Sequence, residues 1–346
     1  MPASQEKMAS YSVLVVTNLW PTDADPSFGS FVKAQVDSLR PLGVESDVLF
    51  INGRESRWNY LRGIRQVRRH LRAKRYDLIH AHFGLSGWAA RWQSRVPVVV
   101  SFMGDDVLGH PTRSGRITLG GHFLRISGFI LARMATSVIV KSRQMACKLR
   151  MPSAHVIPNG VDLNLFRPVE QAQARKFLGL DSGKKFVLYP YNPKEPRKRF
   201  DLIQAAVSLA REQVPNLELL VARGLPQEQI PHYMNAADVL VMASMLEGSP
   251  NAVKEAMATN LPVITVDVGD TAELIGPTAG CYLVRREAAA IAEKIVEVCR
   301  RGGRTNGREW IRKLSMEMVA QQIVEVYAAT LRRERHRVDA GEAPPQ

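Results

Sequence analysis

Two carboxylates, Glu247 and Glu255, bracket a turn that reads Glu247-Gly-Ser-Pro-Asn251. Before the turn, Asp238-Val-Leu-Val-Met242 has the short apolar character of a buried strand, and Pro262-Val-Ile-Thr-Val266 repeats it further on. Between them Ala252 to Ala258 reads as a helix with Val253, Ala256 and Met257 on one face. The order is strand, tight loop, helix, strand. Ser249 suits the N-cap of that helix and Pro250 its first position. The first N–H groups of a helix lack internal partners and attract anions, and Gly248 and Ser249 let a ligand approach the backbone closely. Glu247 and Glu255 then border one pocket. Carboxylates accept hydroxyl donors, so the pair suits sugar or ribose hydroxyls around a bound phosphate.

Other stretches carry related chemistry. The loop Asn192 to Phe200 holds Lys194, Arg197, Lys198 and Arg199 between a strand and a helix, where cations would meet a diphosphate. Phe28-Gly29-Ser30-Phe31 is a glycine loop entering a helix. Asp77 to His82 is a strand whose His80 and His82 share a face, with no third metal ligand nearby in sequence. Asp105 and Asp106 follow the strand Pro97 to Ser101. They are open to three roles: metal, hydroxyl recognition or helix capping.

Glu247 and Glu255 with Glu255-Ala-Met and Leu261-Pro-Val-Ile, together with Pro158-Asn-Gly-Val-Asp162 and Phe166, resemble the signature of retaining GT-B glycosyltransferases of family GT4. The resemblance implies a nucleotide-sugar donor, UDP- or GDP-linked, with no further cofactor and no metal. It implies Glu247, Asp106 and His82 at the reacting sugar. Donor binding would fall to Gly29, Ser30, Arg197, Lys198, the turn Gly248, Ser249, Pro250 and Asn251, and Glu255. The chain departs from the family pattern in four places, one of them the short link Arg223-Gly-Leu-Pro-Gln227 where many members have a longer segment that cradles the nucleobase. Met103 stands where a histidine is usual, the first glycine loop has one glycine, and no Gly-Arg pair precedes Lys198.

These residues need two sheets to hold them. Strands and helices alternate through both halves, which predicts an α/β chain of two Rossmann-like, doubly wound domains facing a cleft. We divide it at 1–167 for an acceptor domain and 168–315 for a donor domain. A helix over 316–335 crosses back, and a disordered tail covers 336–346.

The chain has 346 residues, 45% hydrophobic, with a formal net charge of +14. No run is apolar enough for a membrane span, and the first ten residues lack the apolar core of a signal peptide. The three cysteines match no metal spacing and read as reduced cytosolic thiols. Excess positive charge fits nucleic acid, or an anionic membrane surface and anionic substrates. No nucleic-acid motif appears, so the membrane is preferred. Arg57 to Arg75 carries an apolar stripe of Tyr60, Leu61, Ile64, Val67 and Leu71, flanked by Arg62, Arg65, Arg68, Arg69, Arg72 and Arg75. That is a solvated helix face or a helix on anionic lipid. Trp58 and Trp88 read as interfacial anchors or as core. The expected protein is cytoplasmic and peripheral on the inner membrane face, and its acceptor is a glycan or lipid-linked glycan. A nucleotide-sugar epimerase on the same fold, a non-catalytic nucleotide or glycan binder and, on charge alone, a nucleic-acid binder are the rivals.

Overall fold

The computed structural model describes residues 10–112 and 114–341. The expectation about a signal peptide falls largely on 1–9, and the end of the tail on 342–346; both lie outside the described residues.

The first domain alternates strands and helices: β1 (Tyr11–Thr17), α1 (Ser30–Leu39), β2 (Val44–Phe50), α2 (Asn59–Ala73), β3 (Leu78–His82), α3 (Gly84–Arg91), β4 (Val98–Ser101), α4 (Asp105–Leu108), α5 (Leu119–Met134), β5 (Ser137–Val140), α6 (Arg143–Leu149) and β6 (His155–Val156). Its strands form one parallel sheet in the order β2-β1-β3-β4-β5-β6. The second domain follows with α7 (Gln171–Leu178), β7 (Lys185–Tyr189), α8 (Phe200–Arg211), β8 (Leu217–Val221), α9 (Ile230–Ala236), β9 (Val239–Met242), α10 (Asn251–Ala258), β10 (Val263–Thr265), α11 (Thr271–Ile275), β11 (Cys281–Leu283), α12 (Ala288–Arg301), α13 (Gly307–Ile311) and α14 (Met316–Asp339). Its sheet is also parallel, ordered β11-β10-β9-β7-β8.

The central strands are apolar on both faces because helices cover both sides. Val13, Leu14, Val15 and Val16 of β1 are fully buried, as are Val187, Leu188 and Tyr189 of β7. The last helix returns to the first sheet: Val319, Ala320, Ile323 and Tyr327 pack with Val13, Val15, Leu78 and Ile139. It runs to Asp339, four residues into the stretch expected as tail, on continuing i,i+3 support such as Arg337 to Glu334 at 3.0 Å.

In a parallel sheet all strand C-termini point one way. The loops after β1, β3, β4 and β5 therefore gather at one edge of the first domain, and those after β7, β9 and β10 at one edge of the second. The two edges meet. A side chain at Gly248 would come 3.1 Å from the Met103 carbonyl and 3.2 Å from Met145 Sδ. Asn159 Nδ2 donates to Asn251 Oδ1 at 3.4 Å, and Lys254 Nζ donates to the Asn159 carbonyl at 2.8 Å.

Candidate active site

The turn after β9 and the loop after β7 form one unit. The Met245 N–H donates to the Arg197 carbonyl at 2.8 Å, and Arg197 Nη1 donates to the Leu246 carbonyl at 3.3 Å. Glu247 is thereby carried against the cations. Its Oε1 lies 2.5 Å from Lys198 Nζ and its Oε2 3.8 Å from Arg197 Nη1. The Glu247 and Lys198 side chains are only 12% and 7% exposed. Arg197 also pairs with Glu195 at 2.5 Å, and the Lys198 ammonium sits 3.8 Å from the Tyr191 ring centre. Burial by itself would raise the Glu247 pKa, but the charges of Lys198 and Arg197 outweigh it and hold the carboxyl below its ordinary range.

The helix start differs from the expectation. Pro250, with φ −72° and ψ 116°, occupies the cap position, and α10 begins at Asn251 with no side chain capping it. Ser249 is turned instead to Lys254, whose Nζ donates to its hydroxyl at 3.1 Å. The reason is the buried lysine. Lys254 must find acceptors, and it takes the Ser249 hydroxyl and the Asn159 carbonyl. The first amides of α10 stay open to an anion from outside the chain. Glu255, in the second turn, has no hydrogen-bond or ion-pair partner among the described residues, and burial pushes its pKa up to about 7 against the pull of Lys254.

Asp106 was expected at the sugar. It is fully used by the backbone: the Gly84 N–H donates to Oδ2 at 2.9 Å, the Gly104 N–H to Oδ1 at 2.9 Å and the Met103 N–H to Oδ1 at 3.0 Å. The side chain is a brace joining the loops after β3 and β4, and it is buried. Its neighbour Asp105 faces His110 at 3.2 Å. His82 is also withdrawn. It is wholly buried, its ring lies 4.2 Å from that of His80, and it touches no solvent. Burial, His80 and Lys141 keep it neutral. His80 is a packing residue, bonded to the Tyr327 hydroxyl at 2.6 Å and Ser101 Oγ at 2.8 Å. Gly29 lies at the start of α1 with φ +70°, where any side chain would overlap the backbone of Leu19 and Trp20. Ser30 is the first residue of that helix.

Three polar groups of the cleft escaped the sequence reading. Lys141 and Lys254 are each 1% exposed and come from opposite domains, and Asp270 is buried beside Ser249 and Lys254. A signal was present. Lys141 continues an apolar strand, and Lys254 stands three residues before Met257, on the inner face of its helix. Among the described residues no cluster of three metal-ligating side chains occurs.

Residues 8–165 match the family model described as Glycosyltransferase Family 4, and residues 203–301 match Glycosyl transferases group 1. The chain is 32% identical over 238 residues to TuaC of Bacillus subtilis, a protein named for glycosyl transfer in teichuronic acid biosynthesis. That match covers 63% of this chain and 60% of TuaC. It is 24% identical to a D-inositol 3-phosphate glycosyltransferase of Thermobispora bispora, over 82% of this chain and 77% of that protein. Among solved structures, sucrose-phosphate synthase from Thermosynechococcus elongatus superposes with a TM-score of 0.76 at 21% identity, covering 93% of this chain and 99% of that one. Anabaena HepE in complex with UDP superposes with a TM-score of 0.65 at 18% identity, covering 92% and 100%.

Proposed function

Because the chain belongs to the GT4-type glycosyltransferases of GT-B fold, we propose that it moves a sugar from a nucleoside-diphosphate donor to an acceptor hydroxyl in glycan biosynthesis, with retention of anomeric configuration. The observation that carries this reading is the Glu247–Lys198 contact beside the uncapped start of α10. The diphosphate would lie on the first amides of α10 and on Lys198 and Arg197. Those groups neutralise the charge that grows on the leaving phosphate as the sugar–oxygen bond breaks. The acceptor oxygen bonds to the anomeric carbon, and its proton leaves with the diphosphate. Glu247, kept ionised by its cations, accepts hydroxyls of the transferred sugar. Glu255 faces the ribose hydroxyls. In this reading the cations of the chain serve the diphosphate and no divalent ion is needed. Asp106 and His82 enter as supports of the loops rather than as contacts to sugar.

The acceptor in this reading is lipid-linked and reached at an anionic membrane surface. No helix of the described residues is long and apolar enough to cross a membrane. Yet α5 presents Leu119, Phe123 and Ile126 at 90%, 64% and 63% exposure. Phe123 and Ile126, with Leu61 and Ile64 of α2 and Trp92, line an open apolar groove of about 370 Å³. Arg62, Arg65, Arg69 and Arg72 stand exposed along α2 beside it, and Arg68 donates to the Trp92 carbonyl at 3.1 Å. Apolar groups ringed by cations suit the headgroup zone of anionic lipid. Trp58 is exposed and fits this face, whereas Trp88 is partly buried and bonded to Ser127 at 2.6 Å.

The test is thermal unfolding with UDP, GDP and ADP, each in EDTA. One nucleotide is expected to raise the midpoint by binding the native state, and Glu255→Gln is expected to lose that rise. A chain that responds to none of the three, with or without added divalent ion, does not bind a donor of this class. Proton NMR of the product formed with the matching donor then reads the anomeric configuration.

A further inference from the structure

One cavity of the cleft has no part in the account above. It encloses about 330 Å³ between α5 and α6 of the first domain and the loops after β9, β10 and β11 of the second. Glu247 forms part of its wall, so the cavity borders the residue assigned to the transferred sugar. The loop after β10 closes it tightly. A Cβ at Gly269, where φ is +62°, would stand 2.8 Å from the Glu247 carbonyl.

The charges of the lining are unequal. Arg125, Lys148 and Arg286 face Asp267 and Glu247, and Glu247 is already matched by Lys198. None of the three cations has a carboxylate partner among the described residues. Two of them are held in place. Arg286 Nη2 donates to the Ser244 carbonyl at 3.0 Å while its buried Nε has no acceptor. Arg125 lays its stem over Gly109, where a Cβ would come 2.9 Å from Arg125 Cδ. A cavity with surplus fixed cations and an unpaired guanidinium N–H favours an anion.

The cavity also lies on the side away from the donor. Lys198 follows β7, whereas Asp267, Gly269 and Arg286 follow β10 and β11 at the other end of the order β11-β10-β9-β7-β8. Glu247 stands between the two sides. Resting on the transferase reading, we propose that this cavity is the acceptor site and selects a saccharide carrying a carboxylate or phosphate. Arg125, Lys148 and Arg286 hold that anion, and a hydroxyl of the same molecule reaches the sugar beside Glu247.

The probes are methyl glucuronide, glucose 6-phosphate and methyl glucoside, followed by saturation-transfer NMR on the full chain at low salt with saturating nucleoside diphosphate. At least one charged saccharide is expected to bind about tenfold tighter than the glucoside, the scale of one charge-assisted hydrogen bond. Which of the two does so separates carboxylate from phosphate. Arg125→Gln with Lys148→Gln is expected to erase the preference while leaving the nucleotide-induced rise in melting midpoint intact. Arg286→Gln gives an independent variant should the pair fold poorly. Equal binding of charged and neutral saccharides overturns the proposal, as does a preference that survives these variants. Competition between the charged saccharide and the nucleoside diphosphate would place it in the donor site and also overturn it. A wild-type chain that binds no nucleotide fails the transferase reading itself, which is a separate result.

Discussion

Glu247 and Glu255 share one cleft in opposite electrostatic states. Lys198 and Arg197 keep Glu247 ionised, whereas burial raises Glu255 from an ordinary 4.5 to about 7. A carboxyl raised in this way binds more protons folded than unfolded between those two values. The free protein therefore loses stability as pH climbs from about 4.5 to 7 and carries the full cost above that. Glu255→Gln is expected to raise the melting midpoint of the ligand-free chain at pH 8 more than at pH 5, by on the order of 1 kcal/mol, while abolishing the response to nucleotide. A midpoint change equal at both pH values would remove the electrostatic account. Asp106 makes the opposite case. Its carboxylate satisfies the amides of Gly84, Met103 and Gly104, so Asp106→Ala is expected to cost about 2–4 kcal/mol, read as a lower urea midpoint. Full stability with lost turnover would return Asp106 to the reacting sugar. Sequence showed both acidic groups but not their roles. An aspartate after a strand looks the same whether it meets sugar or caps its own loops, and only the folded backbone decides.

Elements were more legible than contacts. Continuous apolar runs gave the parallel strands, because helices cover both faces of each sheet and leave no alternation to read. The start of α10 was displaced by one residue, since the local preference of Ser249 for the cap yielded to the demand of a buried lysine for an acceptor. The arginines of α2 were readable as a stripe. Their apolar companion on α5 was not, because Leu119, Phe123 and Ile126 look like core residues until the fold leaves them outside. That face gives a prediction for two elements together. The wild-type chain is expected to float with vesicles rich in anionic lipid at low salt. Phe123→Ser with Ile126→Ser is expected to weaken binding about tenfold or more, and Arg65→Gln with Arg69→Gln to weaken it chiefly at low salt. Flotation unaffected by both pairs would make the groove an ordinary surface.

At the scale of the whole molecule the domains meet over two buried lysines, one from each side. Lys141 donates to the Ile157 carbonyl at 3.4 Å, and Lys254 to Asn159 and Ser249, so among the described residues their direct partners are neutral groups. Burial, reinforced for Lys141 by the charge of Lys254, lowers them to about 7 and about 8. Asp106 opposes the shift at Lys141, and Asp270 and Glu255 oppose it at Lys254. A base lowered on folding binds fewer protons folded than unfolded. The closed arrangement is therefore least stable below about pH 7 and gains stability as pH rises from there towards the ordinary lysine value of 10.5. Lys254→Met is expected to flatten that gain, its midpoint relative to wild type falling as pH goes from 6 to 9.5. An anion seated on α10 lies between the domains and stabilises both ammonium groups, so donor binding is expected to draw protons from solution. Calorimetry with the matching nucleoside diphosphate at pH 8, in two buffers of different ionisation heat, should show unequal heats for wild type and nearer equal heats for Lys254→Met. Equal heats in the wild type would mean that the lysines do not feel the ligand, and that closing the cleft over them serves packing rather than binding.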